Sequence, residues 1–420
     1  MSTSQNGAHA GWHQKSALFA IGLLPLLMAI MPWDLAGSLT PFSAAVRGFS
    51  FQVSFFHIVC LTIALAAGLS IFSEWRTLPK LSRMAIYGLL GISIWTCLAV
   101  APDKARAIIG ILQIALLILF FLAFRYMVRL WGSRFVSANW SALGIGVLLY
   151  LGLWAATLAY RWPPVDDWAG VAVPGMANVR SVGFLSLAAF CSGAALAVNS
   201  QSRSHVVLAF ILLTVGAWGS ALWTGSRGAA VAMTVVAMVV IALAKGSRLR
   251  ISGLIFGSLV AAILLVYPIP YGSPDYGLGN FFWGSQSNDP DSFSSGRTTI
   301  WKATFEMAKV HPIFGLGLDQ FQFNGPEISR GVKQPHNWPL QILFSSGLAG
   351  VLLVPIALIP LVNWKTSVLL DRKNLPSILC LTGMLVFAGY DAPGYYLYPL
   401  TLVAIALASV SPPPARDRSG

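Results

Sequence analysis

The chain has 420 residues, of which 56% are hydrophobic and only 10% charged, where globular domains carry roughly 25% charged residues. Its formal net charge is +13, and it holds 15 Trp and four Cys. Such values exclude a soluble domain or a disulfide-stapled secreted fold and describe a membrane protein.

In chain order, apolar runs long enough to cross a hydrocarbon core of roughly 30 Å lie at 17–33, 53–72, 84–101, 107–124, 141–160, 183–199, 206–223, 228–244, 251–267, 339–362, 376–390 and 394–410. Only helices satisfy their own backbone in hydrocarbon over such lengths. The prediction is therefore an all-α polytopic membrane protein of about twelve transmembrane helices. The first run is longer than a signal-peptide core and follows little positive charge, so it is read as a retained helix. Helices one to nine occupy 1–267, a polar loop occupies 268–337, helices ten to twelve occupy 338–410, and a tail follows over 411–420.

Lysine and arginine collect in short cytoplasmic loops. With the N-terminus inside, sixteen cations, among them Arg76, Arg125, Arg129, Lys245 and Arg372, fall on the cytoplasmic side against Glu74, Asp371 and Asp417. The remaining eleven cations and eleven acids balance, so the entire net charge lies on one face and both termini are cytoplasmic. The high charge therefore reports topology and attraction to membrane lipid, and no nucleic-acid partner is expected.

The same parity puts 268–337 outside, together with 34–52, 161–182, 224–227 and 391–393. A loop of roughly seventy residues far exceeds what a turn requires and points to function. Along this face, Asp166-Asp167 and the DxD-like Asp289-Pro290-Asp291 have metal-ligand spacing, but Asp beside Pro, Ser and Asn is ordinary turn chemistry. No metal and no cofactor is expected. Arg180, in Asn178-Val179-Arg180-Ser181, and Arg227, in Gly225-Ser226-Arg227-Gly228, stand at membrane boundaries, where a cation snorkels, pairs or binds an anion. Glycines around Arg227 allow close approach of backbone or ligand.

Arg297 opens a predicted helix over 298–310, in which Trp301, Phe305 and Ala308 form an apolar stripe suited to the membrane interface and Lys302 is spaced to pair with Glu306. An arginine at a helix N-terminus makes an anion site. His311-Pro312 with Gly315 and Gly317 stops the helix and turns the chain. His336, between Pro335 and Asn337, leads directly into the tenth span, at the height of a lipid head group. Imidazole is the side chain best suited to accept a proton near neutral pH. Asp391, in the last outer connection, could orient a histidine or cap a turn.

The succession Gly225-Ser226-Arg227-Gly228, Gly296-Arg297, Trp301, His311-Pro312 with Gly315 and Gly317, Phe321, Pro335-His336-Asn337, Gln341 and Ser346-Gly347-Leu348-Ala349-Gly350 resembles the O-antigen ligase and polymerase family over roughly residues 220–355. The resemblance implies a bacterial inner-membrane glycosyltransferase acting at the periplasmic face, metal-independent and inverting. Its donor would be an undecaprenyl diphosphate-linked glycan and its acceptor a lipid A-core sugar. His336 would be the base, Arg227, Arg297 and Arg180 would bind diphosphate, and Asn337 and Asp391 would support them. The polymerase of the same superfamily differs in its acceptor. A transporter, as a third reading, predicts midplane charges, broken helices or paired halves, whereas here the polar residues gather on one face.

Overall fold

The computed structural model describes residues 55–160, 182–199, 204–244, 246–269, 278, 281, 296–324, 334–391, 394 and 397–411. All regular structure among them is helical. The helices are α1 (Phe55–Ala67), α2 (Ser70–Thr77), α3 (Lys80–Ala99), α4 (Lys104–Trp131), α5 (Ser133–Tyr160), α6 (Val182–Asn199), α7 (Ser204–Trp223), α8 (Arg227–Leu243), α9 (Arg248–Val266), α10 (Arg297–Ala308), α11 (Phe321–Asn324), α12 (Trp338–Leu358), α13 (Thr366–Leu369), α14 (Leu375–Ala388) and α15 (Leu397–Val410). A helix thus stands at each expected span from 53–72 onward; the run at 17–33 lies outside the described residues. Six stretches, Lys80–Ala99, Lys104–Trp131, Ser133–Gly152, Val206–Trp223, Arg248–Val266 and Trp338–Leu361, are long and apolar enough to cross a membrane. Val182–Val198, Arg227–Leu243, Leu375–Ala388 and Tyr398–Val410 are shorter apolar helices.

The expected span 53–72 is divided. Gly68 takes a left-handed φ of +54° and its N–H bonds back to Ala64 and Leu65, so α1 closes and α2 starts in a new direction. The short α2 packs on α4, and that contact holds the fully buried Glu74. Its carboxylate lies 2.8 Å from the Arg129 guanidinium and 3.8 Å from that of Arg125. Removing one partner of a buried ion pair strands the others in low dielectric, at a cost of about 3–5 kcal/mol. Glu74→Ala should therefore lower the thermal unfolding midpoint in detergent far more than removal of an exposed acid such as Glu306, and an unchanged midpoint would show the pair to be dispensable.

The core lies among α6, α7, α8, α14 and α15, where Phe184, Leu187, Phe190, Val236 and Phe387 are nearly inaccessible. Small residues permit the close approaches: a Cβ on Gly383 would stand 2.6 Å from a Leu187 methyl. Leu81, Leu98, Phe256 and Leu264 remain exposed, as the outer sides of lipid-facing helices do.

The apolar run 339–362 contains a break that hydropathy does not announce. Within α12, Gly347 has φ +64° and ψ −164°, outside helical space. There the segment Pro312–Gly317 lies along the helix and exchanges backbone bonds with it: Leu316 N–H donates to Phe344 O, Gly317 to Ser345, Leu348 to Pro312 and Ala349 to Ile313, at 2.8–3.0 Å. A Cβ on Gly315 would sit 2.5 Å from the Ser345 carbonyl carbon, and one on Gly347 would sit 2.3 Å from that of Ile313. Gly315 and Gly347 are therefore required by two backbones in contact. A broken helix, expected only of a transporter, is present, but its freed carbonyls are met by the inserted segment.

Candidate functional site

The expected helix after Arg297 forms, with a different buried side. Ile300, Thr304 and Ala308 are buried against α12, while Phe305 is exposed and Trp301 is half-buried. Positions 300, 304 and 308 share one face at the spacing of four that packing on α12 selects, and of the stripe Trp301, Phe305, Ala308 only Ala308 is buried there. Lys309, not Lys302, pairs with Glu306, at 2.7 Å.

Four candidate residues converge on the end of α14. Its last carbonyls have no partner within the helix, and side chains from the Arg297 and Asn337 segments meet those at its end. Asn337 Nδ2 donates to Gly389 O at 3.1 Å, and an Arg297 guanidinium N–H donates to Tyr390 O at 2.5 Å. A cation there also faces the negative end of the helix dipole. The next residue, Asp391, is buried and its Oδ1 lies 3.0 Å from His336 Nδ1. Asn337 does a second job with its other atom: Oδ1 accepts from Leu340 N–H at 3.0 Å and caps α12.

His336 itself has φ +53°, one of two non-glycine residues in left-handed conformation among those described. Strain of this kind costs on the order of 1–3 kcal/mol and gathers at functional sites. Pro335 is buried, and its carbonyl accepts from Trp301 Nε1 at 2.9 Å. On the other side of the dyad, Gly394 lies flat against Trp338, whose indole occupies the space a Cβ would take.

Arg227 begins α8 after a tight turn in which Gly225 has φ +68° and Ser226 N–H bonds to Ala221 O at 2.9 Å. Gly228 packs so closely on α14 that a Cβ would meet Phe387 at 2.5 Å and Tyr390 Cβ at 3.1 Å. The Ser-Arg-Gly element is thereby held against the same residues 387–391 that receive Arg297, Asn337 and His336. Arg180, Asp166, Asp167, Asp289 and Asp291 lie outside the described residues.

The arrangement can perform acid–base chemistry. A carboxylate on Nδ1 fixes the imidazole tautomer and leaves Nε2 to exchange a proton with a substrate. Arg297 donates one N–H to the Tyr390 carbonyl, and its planar guanidinium has the geometry that matches an anion.

One polar cluster carried no expectation. The turn at 102–106, between the third and fourth spans, docks the segment after α10. Gln320 pairs through both amide atoms with the Asp103 backbone, at 2.9 and 3.1 Å, and the buried Arg106 reaches Asp319 at 3.5 Å and stacks over Phe323. An acid and an arginine three residues apart are its visible signal in the sequence. It secures the loop and lies on different elements from the His336 dyad.

Residues 209–354 match a family model described as O-Antigen ligase. The chain is also similar to the exopolysaccharide production protein ExoQ of Rhizobium meliloti (strain 1021), with 27% identity over 260 residues that cover 57% of this chain. The aligned part spans 56% of that relative, little more than half its length. The motifs from Gly225 to Gly350 all fall inside the family match, so the resemblance to the O-antigen ligase family read from the sequence holds over residues 209–354.

Proposed function

We propose that this protein is a membrane glycosyltransferase of the O-antigen ligase type, transferring a glycan from undecaprenyl diphosphate to a lipid A-core sugar hydroxyl at the periplasmic face of the inner membrane. The observation that carries the proposal is the His336–Asp391 contact beside Arg297, on the segment that also receives the Ser-Arg-Gly turn.

In this reading the acceptor hydroxyl attacks C1 of the donor sugar from the side opposite the diphosphate. The C1–O bond to diphosphate breaks as the new glycosidic bond forms, and the configuration at C1 inverts. His336 Nε2 takes the hydroxyl proton, while Asp391 holds the ring and stabilises the imidazolium. The departing diphosphate carries away the bonding pair, and Arg227, Arg297 and Arg180 compensate its charge. Arginine suits that role because two parallel N–H groups match two phosphate oxygens and the charge is permanent. No metal is required in this scheme.

Arg297→Lys keeps a positive charge but loses the fork that serves Tyr390 and the anion together. Turnover should fall by about 10² while folding is retained, measured as product per folded molecule in proteoliposomes. Normal turnover would remove Arg297 from diphosphate binding.

The similarity to an exopolysaccharide production protein supports a second reading, in which the acceptor is the end sugar of another carrier-linked glycan. Reconstituting the purified protein with a carrier-linked glycan, in a metal chelator, and offering lipid A core or a second carrier-linked glycan separates the two. Product on lipid A core is expected; elongated carrier-linked glycan alone would select the polymerase, and neither product would overturn the transferase reading.

A further inference from the structure

The helix α10 grips both sides of the dyad. Arg297 and Trp301 are four residues apart and so lie on one face of it. Arg297 donates to the carbonyl of Tyr390, the residue immediately before Asp391, and Trp301 donates to the carbonyl of Pro335, the residue immediately before His336. Each bond falls on the peptide group that leads into one member of the pair.

The second of these bonds has a geometric consequence. The Pro335 carbonyl belongs to the peptide plane joining Pro335 to His336, and the orientation of that plane about the N–Cα bond of His336 is φ itself. At His336 φ is +53°, a conformation that a histidine leaves for the extended or right-handed region when nothing holds it. A hydrogen bond of the ordinary net strength, about 0.5–1.5 kcal/mol, is comparable with the low end of the strain it opposes, roughly 1–3 kcal/mol. Relaxation of φ to negative values would turn the backbone by more than about 100° and carry the ring away from Asp391 Oδ1, now 3.0 Å distant.

We infer that Trp301 is a positioning residue, whose indole N–H holds His336 in its left-handed conformation and so keeps the imidazole on Asp391. The sequence reads Trp301 as a membrane anchor; its half-buried position and its bond to Pro335 O give it this other task. Because Arg297 rides on the same face, the group that meets the leaving diphosphate and the group that receives the proton are set by one rigid element. This inference rests on His336 being the base.

The test uses the full chain in proteoliposomes. Trp301→Phe keeps an aromatic ring and removes the N–H; should it fold poorly, replacing the indole by its benzothiophene isostere removes the same N–H with almost no change of shape. Misplacing a catalytic group by about 1 Å can cost 10²-fold, so kcat should fall ten- to a hundredfold with KM unchanged. A second reading does not depend on transfer: the rate at which diethyl pyrocarbonate modifies His336, followed on the peptide that contains it, should change to the value seen in Asp391→Asn. A purely structural tryptophan would lower the yield of folded protein and leave both kcat per folded molecule and this rate alone, and that result would overturn the inference. If His336→Ala kept full activity, the base would be misassigned, while the modification rate would still report whether Trp301 holds the ring.

Discussion

His336→Ala is expected to abolish most glycan transfer, by a factor of about 10² to 10⁴, with no loss of folded protein. The side chain is partly exposed and contributes little to packing, with 27% of its surface accessible, so its removal touches the chemistry before it touches the fold. Asp391→Asn tests the other half. An amide can occupy the same position but cannot accept from Nδ1–H with a full negative charge, so the ring loses both its imposed tautomer and the charge that stabilises it once protonated. The loss should be smaller than for His336→Ala, and the double variant should be no worse than His336→Ala alone, because the two side chains act as a unit. Transfer to lipid A core in membranes is the measurement. Undiminished activity of His336→Ala would exclude it as the base, and full additivity of the two substitutions would separate Asp391 from it.

Gly347→Ala should be strongly destabilising. The φ of +64° and ψ of −164° at Gly347 lie in a region populated essentially by glycine, at a cost of roughly 1–3 kcal/mol for a side chain, and the Cβ would stand 2.3 Å from both the carbonyl carbon and the oxygen of Ile313. Neither atom is the end of a flexible side chain, so the two backbones must separate. Separation breaks the bonds from Leu348 and Ala349 to Pro312 and Ile313 and leaves polar groups unpaired in an apolar surrounding. A destabilisation above about 4 kcal/mol is expected, visible as loss of the monodisperse protein on size-exclusion chromatography. Gly253→Ala, where nothing lies within 4 Å of the added carbon, is the control. A Gly347→Ala protein as stable as that control would contradict the close contact.

The helices were legible because hydropathy is a property of single runs, and a run either spans the hydrocarbon or does not. The break at Gly347 was not, because the surrounding residues stay apolar and the cause lies some thirty positions earlier, at Gly315. Arg297 and His336 are marked in the sequence by their chemistry, a fixed cation at a helix start and an imidazole at a membrane boundary, and the structure brings both to the end of α14. Asp391 stayed undecided in the sequence, since 55 residues separate it from His336 and no local pattern states which carboxylate meets which ring. The bond from Trp301 to Pro335 is illegible in the sequence for a related reason. An aromatic residue at an interface has an apolar body and a polar tip, and only the tertiary fold shows which of them is used. The Arg106 cluster was overlooked because a five-residue turn between spans offers no periodicity.

The pairing of Pro312–Gly317 with α12 bears on how the chain is put into the membrane. The loop leaves the ribosome before the helix it will join, and the acceptors for Leu316 and Gly317, the carbonyls of Phe344 and Ser345, do not yet exist. Neither strand of this pairing can stay unsatisfied in hydrocarbon. The pairing at Gly347 can therefore form only once residues 338–361 have followed the loop. Because Asp391 follows His336 by 55 residues, a chain halted between them would hold every earlier helix without the assembled pair.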